Sequence, residues 1–163
     1  MKAIHWKIAA IFAVGVVASL YFQSRFGLGV DRQMTPCNEG RVFLVDKEQR
    51  VPVVGLFYEF HAPLTVSPVY APGTKMLKQV LAGPGDHIEI RPDDTIWING
   101  EQVASGLPHL DRFAPGAKSK FHGQRTLKDN EWWVMAQSPL SFDSRYWGTV
   151  PTENFIGRAY VIF

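Results

Sequence analysis

The sequence predicts a mainly β domain carried by a single amino-terminal transmembrane helix. The helix is predicted because residues 8–22 (IAAIFAVGVVASLYF) are apolar and contain no charge. The β domain is predicted because short runs of β-branched and aromatic residues recur after residue 40, and no convincing helical period follows residue 30. Eleven Pro and 14 Gly, spread along the chain, predict the many turns that such a domain needs.

The apolar segment predicts a membrane anchor over residues 1–25. Lys2 and Lys7 precede the uncharged stretch, and this charge bias favours an amino terminus in the cytoplasm and export of residues 26–163. A cleaved signal segment is the alternative, since residues 16–18 (VVA) form a passable cleavage site. Either interpretation places the rest of the chain outside the cytoplasm.

The strands of the exported body are predicted from apolar and β-branched runs between turn residues. A hairpin is predicted at Asn99-Gly100, because this dipeptide favours a two-residue turn between strands. Residues 105–130 are polar and rich in Gly, Pro and charge, so they are predicted to be an inserted loop or flap. The predicted strands are 41–46, 51–60, 78–82, 87–91, 95–99, 132–136 and 158–163.

Composition excludes some classes of function. The net charge is +2 and only 20% of residues are charged, so the basic patch of a nucleic-acid-binding protein is not expected. The histidines have no metal-ligand spacing, and neither a metal nor a cofactor is predicted. Cys37 is the one cysteine, which rules out an intrachain disulfide, and a lone cysteine is most often a small buried apolar residue.

Three segments contain residues suited to catalysis. Residues 78–86 (KQVLAGPGD) begin with a lysine, residues 141–148 (SFDSRYWG) combine hydroxyls with a charge pair, and residues 35–43 (TPCNEGRVF) follow the anchor. Most lysines face solvent, so Lys78 alone indicates little. It acts as a base only when buried, because desolvation favours the neutral amine of a lysine.

Together, and in this order, these segments resemble the type I signal peptidase family of serine/lysine dyad peptidases. The similarity is nearest to the TraF-like branch, which matures pilin precursors in conjugative transfer. The strand from lysine to Pro-Gly-Asp matches at 78–86, and the Ser-x-Asp-Ser-Arg-x-x-Gly signature matches at 141–148. The resemblance implies a coiled antiparallel β-sheet body and an endopeptidase of the inner membrane whose catalytic domain is periplasmic.

The nucleophile departs from the pattern of that branch. The pattern Thr-x-Ser-x-Pro-x-Gly-x-Tyr places Thr35 on the threonine, Cys37 on the serine and Phe43 on the tyrosine, while its Pro and Gly have no counterpart. A rival alignment matches residues 34–36 to the bacterial Ser-Met-x-Pro form and puts Gln33 at the nucleophile. Glutamine cannot attack a carbonyl, so that alignment predicts an inactive protein, and it also needs a deletion.

The resemblance implies a role for each matched residue. Cys37 would be the nucleophile and Lys78 its general base, with Ser141 orienting the lysine. The Thr35 hydroxyl and the Cys37 backbone N–H would form the oxyanion hole. A free thiol has a pKa of about 8.5 and a free lysine about 10.4, so a cysteine–lysine pair favours thiolate and ammonium.

The matched corner also implies a structural pair and a set of partners. Asp143 and Arg145 would hold the corner together, and the partners would be an exported precursor protein and the membrane, without nucleic acid. The alternative function is a catalytically inactive binding or assembly module of a conjugation or secretion apparatus. The missing Pro and Gly around Cys37 favour this alternative.

Overall fold

The amino-terminal helix α1 (Lys2–Arg25) contacts the body of the protein at its carboxyl end. Its apolar side chains are exposed, including Phe12 at 74%. The stretch His5–Arg25 has 21 residues and is long and apolar enough to cross a bilayer, since it extends for about 32 Å at 1.5 Å per residue. The computed structural model describes residues 2–31, 37–38, 40–63, 70–71, 73–110 and 121–163.

The described part of the body consists mainly of antiparallel strands, which confirms the predicted fold class. Eleven strands in these ranges form two sheets, ordered β1-β2-β11-β3-β4-β9-β10 and β7-β6-β5-β8. The strands are β1 (Phe26–Val30), β2 (Val42–Asp46), β3 (Phe57–His61), β4 (Lys75–Ala82), β5 (His87–Ile90), β6 (Thr95–Ile98), β7 (Glu101–Ser105), β8 (Gly123–Thr126), β9 (Glu131–Met135), β10 (Val150–Pro151) and β11 (Phe155–Val161).

Most predicted strands are observed with shifted ends, and one is partly wrong. The strand predicted over 51–60 begins only at Phe57, because Pro52 lacks an N–H donor and Gly55 takes a positive φ of 90°. The hairpin prediction is confirmed: Asn99 and Gly100 both have positive φ, as a two-residue type I′ turn requires. Within 105–130, β8 pairs with β5, a strand that the sequence analysis did not predict.

The position of Lys78 follows from the length of β4. The strand begins three residues earlier than predicted, because Lys75 to Leu77 pair with β3, so Lys78 lies inside the strand and opposite Tyr58. Alternate residues of a strand share a face. Lys78 therefore shares its face with the buried residues Val80 and Ala82, and its side chain is directed into the protein.

Among the described residues, buried apolar side chains form three clusters around the two sheets. The cluster under β3, β4 and β9 contains Tyr58, Phe60, Val80 and Val134, and it packs against the helix α2 (Ser144–Trp147) through Trp147. A second cluster fills the space beside the smaller sheet, and a third joins β2 to β11. Together they support β4 and the turn before α2, which carry the residues of the candidate site.

Polar contacts fasten the end of α1 to the body. The Arg25 guanidinium donates Nε to Asp46 Oδ1 at 3.2 Å and Nη2 to Asp46 Oδ2 at 3.0 Å. Lys47 Nζ donates to the carbonyl of Gln23 at 3.1 Å, which satisfies a carbonyl of the last helical turn. Helix α1 and β2 are thus joined by a bidentate ion pair, and the Lys47 amine caps the end of the helix.

We expect the contribution of this junction to the stability of the protein to be lost at low pH. The hydrogen bonds from Arg25 hold the pKa of Asp46 at about 2, below its ordinary 3.8. A lowered pKa means that the ionised Asp46 stabilises the folded chain above about pH 3.8, and that this contribution is lost as the pH falls through about 2. The free energy of unfolding of the full chain in detergent would be measured by tryptophan fluorescence at pH 5 and at pH 2. The decrease between these two pH values should be larger for the wild-type protein than for Asp46→Asn. Equal losses in the two proteins would contradict this assignment.

Candidate active site

The buried amine of Lys78 is the centre of the candidate site. Lys78 is 6% exposed, and its Nζ donates a hydrogen bond of 2.7 Å to the Oγ of Ser141, which is fully buried. Ser141 lies 63 residues further along the chain, in the turn between β9 and α2. The fold therefore brings these two side chains into direct contact, with the Ser141 hydroxyl accepting from the Lys78 amine.

The turn that carries Ser141 is held by a buried ion pair. Arg145 donates Nε to Asp143 Oδ1 at 2.8 Å and Nη2 to Asp143 Oδ2 at 2.9 Å, a bidentate geometry. Burial lowers the pKa of Arg145, but the hydrogen bonds and charge of Asp143 more than offset it, so the pKa is raised overall. Arg145 Nη2 also donates to the carbonyl of Ser141 at 3.1 Å. The pair thus positions the serine that contacts Lys78.

Asp143 also connects this turn to the sheet and to the following helix. Its Oδ2 accepts the backbone N–H of Ala136 at 3.2 Å, just beyond the end of β9. It is the N-cap of α2, and its side chain accepts from the backbone N–H of Arg145. These contacts tie the Ser141 turn to the end of β9 and to the start of α2.

Cys37 lies on the same groove as Lys78. Both residues line a cavity of about 720 Å³ between β1, the start of β4 and the Ser141 turn. The backbone carbonyl of Cys37 accepts the N–H of Ser138 at 3.0 Å, and Ser138 belongs to the turn that Arg145 holds. Cys37 is partly exposed, which differs from the ordinary buried environment of a lone cysteine.

The backbone N–H of Cys37 is occupied in this structure. It donates to Oδ2 of Asp31 at 3.1 Å, so the N–H expected in the oxyanion hole contacts a carboxylate of the same chain. A carboxylate oxygen there resembles the negatively charged oxygen of a tetrahedral intermediate. The other expected donor, Thr35, lies outside the described residues, as do Gln33 and the other residues of the rival alignment between 32 and 36.

Three residues of the site were not predicted from the sequence. Asp31 and Ser138 hold the backbone of Cys37, and Asn38 donates its Nδ2 to the carbonyl of Leu77 at 3.2 Å. The adjacency of Asn38 to Cys37 was the only signal that could have indicated it. No sequence motif marks Asp31 or Ser138 as a neighbour of Cys37, because these contacts form only when separate segments of the chain pack together.

Comparison with known proteins gives a family match over nearly the whole chain. The family described as "Signal peptidase, peptidase S26" matches residues 2–163. The match includes the segments that carry Cys37, Lys78 and Ser141.

Three curated relatives are similar over about half of the chain. They are Signal peptidase I V of Bacillus subtilis (32% identity, 50% of this chain), Signal peptidase I of Pseudomonas fluorescens (26%, 56%) and Probable signal peptidase I-2 of Synechocystis (26%, 53%). The matches cover 54%, 44% and 37% of those proteins, so the chain spans about half of their length or less. A crystal structure of a signal peptidase I from Enterococcus faecalis is similar with a TM-score of 0.41 and 23% identity, over 66% of this chain and 95% of that one.

Proposed function

Because this chain belongs to the signal peptidase family, peptidase S26, we propose that it is a membrane-anchored endopeptidase that cleaves exported precursor proteins. The observation that carries the proposal is the buried amine of Lys78, held 2.7 Å from Ser141 Oγ on the groove that Cys37 also lines. The substrates are pilin-like subunits matured in conjugative transfer, a narrower assignment that depends on the resemblance to the TraF-like branch.

The proposed reaction uses Cys37 as nucleophile and Lys78 as the proton-transferring group. The Cys37 thiolate attacks the carbonyl carbon of the scissile peptide, and the Lys78 ammonium gives its proton to the departing amine. The amino-terminal fragment of the precursor is then held on Cys37 as a thioester. The neutral Lys78 takes a proton from water as the water oxygen attacks the thioester, and the thiolate departs. No cofactor takes part in either step.

The proposed location is the inner membrane, with residues 1–25 as anchor and residues 26–163 as a periplasmic catalytic domain. Lys2 and Lys7 before the apolar stretch support a cytoplasmic amino terminus. The contacts of Arg25 and Lys47 at the end of α1 support a body held close to the membrane surface. The precursor would therefore meet the groove where its own signal segment leaves the bilayer.

The assignment of the nucleophile can be tested sharply because the chain has one cysteine. We expect Cys37→Ala to lower precursor cleavage roughly a thousandfold or more, since the loss of a covalent nucleophile has an effect of this order or larger. Cleavage would be measured by gel and mass spectrometry after co-expression with a candidate pilin precursor, and with the purified full chain in detergent.

Cys37→Ser is the matched control, because it keeps a nucleophilic atom and removes the only thiol. An alkylating reagent should inactivate the wild-type protein and leave any cleavage by Cys37→Ser unchanged. Unchanged cleavage by Cys37→Ala, or by fully alkylated wild-type protein, would refute the role of Cys37.

A catalytically inactive binding module is the second candidate, and one observation favours it. The Cys37 N–H donates to Asp31 in this structure, so a donor that catalysis requires is already engaged. A binding module would retain the precursor without cleaving it. Capture of uncleaved precursor by the wild-type chain, with equal capture by Cys37→Ala and no processed product, would favour this function over the peptidase.

A further inference from the structure

Asn38 is a buried polar residue beside both members of the candidate dyad. It follows Cys37 directly, and its Nδ2 donates at 3.2 Å to the carbonyl of Leu77, the residue before Lys78. Asn38 is 7% exposed and lines the groove of about 720 Å³. One side-chain hydrogen bond therefore links the segment of the nucleophile to the strand of the base.

The other polar atom of this side chain is unpaired. Asn38 Oδ1 is buried and has no hydrogen-bond partner in the part of the chain that the structure describes. The assignment of the two amide atoms is determined by the Leu77 carbonyl, which can only accept, so Nδ2 must face it and Oδ1 must face away. Native proteins rarely leave a buried amide oxygen unpaired, and such an atom indicates a missing donor.

The chemistry of the groove indicates which donor is missing. Among the described residues, the Lys78 amine donates to Ser141 Oγ rather than to Asn38, and an amide oxygen accepts readily from the main-chain N–H of a peptide. An extended peptide presents a main-chain N–H at every residue, with neighbouring residues about 3.3 Å apart. A precursor whose scissile carbonyl lies at Cys37 therefore brings main-chain N–H groups past the adjacent Asn38.

We propose that Asn38 is a substrate-positioning residue whose Oδ1 accepts a main-chain N–H of the precursor near the scissile bond, while its Nδ2 holds the Cys37 segment against β4. The inference rests on the proposed peptidase function and deepens it. The recognised group is the peptide backbone, so this contact sets the register of the precursor and is independent of its side chains. It orients the scissile carbonyl relative to the thiolate.

The test removes the donor from the substrate and the acceptor from the enzyme. A synthetic peptide spanning the cleavage site of a processed precursor is made as a series in which each main-chain N–H outside the scissile bond is replaced, one at a time, by an ester oxygen. The full chain in detergent cleaves each peptide, and kcat and KM are measured. One ester position should lower the wild-type kcat/KM about tenfold, the usual order for one lost hydrogen bond.

Asn38→Leu has nearly the same shape as the wild-type residue but lacks both polar atoms. It should cleave the all-amide peptide with a kcat/KM about tenfold lower, and the sensitive ester position should cause no further loss. Asn38→Ala, which cannot overfill the site, should show the same loss of discrimination. Gln124→Leu is the matched control, an amide-to-leucine change on the exposed strand β8, and it should keep the wild-type ester profile.

The outcomes separate this inference from the proposed function. A merely structural Asn38 would lower every rate in parallel and leave the ester profile unchanged, which would overturn the inference alone. A wild-type profile with no sensitive ester position would also overturn it, whatever the variants do. Failure of the wild-type chain to cleave any peptide or precursor would overturn the proposed function, and this inference with it.

Discussion

Replacing Lys78 by methionine is expected to lower precursor cleavage by roughly a hundredfold to ten-thousandfold, the usual range for losing a general acid–base group. Methionine keeps the length and the buried position of the side chain and removes only the amine. The fold should persist, because burying an apolar group in place of an amine removes a desolvation cost, although Ser141 Oγ loses its partner. Cleavage by the purified full chain and thermal unfolding in detergent would be measured together.

Lys128→Met is the matched control for this change. Lys128 is exposed and lies in the turn before β9, away from the groove, so the same substitution there should leave cleavage within a factor of two or so of wild type. A Lys78→Met protein that is folded and cleaves within tenfold of wild type would show that Lys78 is not the base.

The second large effect is expected at the buried ion pair. Arg145→Leu leaves the carboxylate of Asp143, which is 0% exposed, without its cation. Breaking a buried pair in this way typically costs about 3–5 kcal/mol in the free energy of unfolding. Cleavage should fall as well, because Arg145 holds the carbonyl of Ser141 and the turn that contacts Cys37. Chemical denaturation in detergent, followed by tryptophan fluorescence, would measure the loss.

Two further variants make this prediction specific. Asp143→Asn combined with Arg145→Leu should recover part of the lost stability, because no buried charge is then left alone. Arg125→Leu breaks an exposed pair with Glu131, in which the arginine side chain is 43% exposed, and it should cost less than about 1 kcal/mol. Equal losses for Arg145→Leu and Arg125→Leu would contradict the structural importance assigned to the buried pair.

The parts of the site that were predictable are those determined by local sequence. Three segments contain their own strand or turn signals: the strand with Lys78, the Asn99-Gly100 hairpin and the corner at 141–148. The structure has β4, the β6–β7 hairpin and the Asp143–Arg145 pair at these three places. The start of β4 was placed too late, because Lys75 to Leu77 are in a strand only through their pairing with β3. Tertiary pairing thus extended a strand beyond its local pattern.

The missed strand β1 has the same origin, whereas residues 51–56 were mispredicted for a local reason, the turn at Pro52 and Gly55. β1 contains Gly27 and Gly29, which weaken any strand signal, and it forms because it pairs along its full length with β2. Residues 51–56 look like a strand by composition but form a turn in which Val53 and Val54 are exposed and Pro52 is buried. The contacts of Asn38 and Asp31 join segments whose meeting no local pattern encodes, since Asn38 and Leu77 are 39 residues apart.

For the proposed membrane-anchored peptidase, the direct passage from α1 into β1 has a consequence for where a precursor would be cut. The helix ends at Arg25 and the strand begins at Phe26, and residues from Leu28 to Asp31 already line the groove. Five strand residues span about 17 Å, so with α1 in a bilayer the groove is held at a fixed height above the surface. In the proposed peptidase, this fixed height would restrict cleavage to a peptide bond at a set distance from the membrane, in addition to any selection by the neighbouring residues. Lengthening the spacer between the precursor's membrane segment and its cleavage site would place that bond farther from the membrane than the groove, and cleavage there should fall.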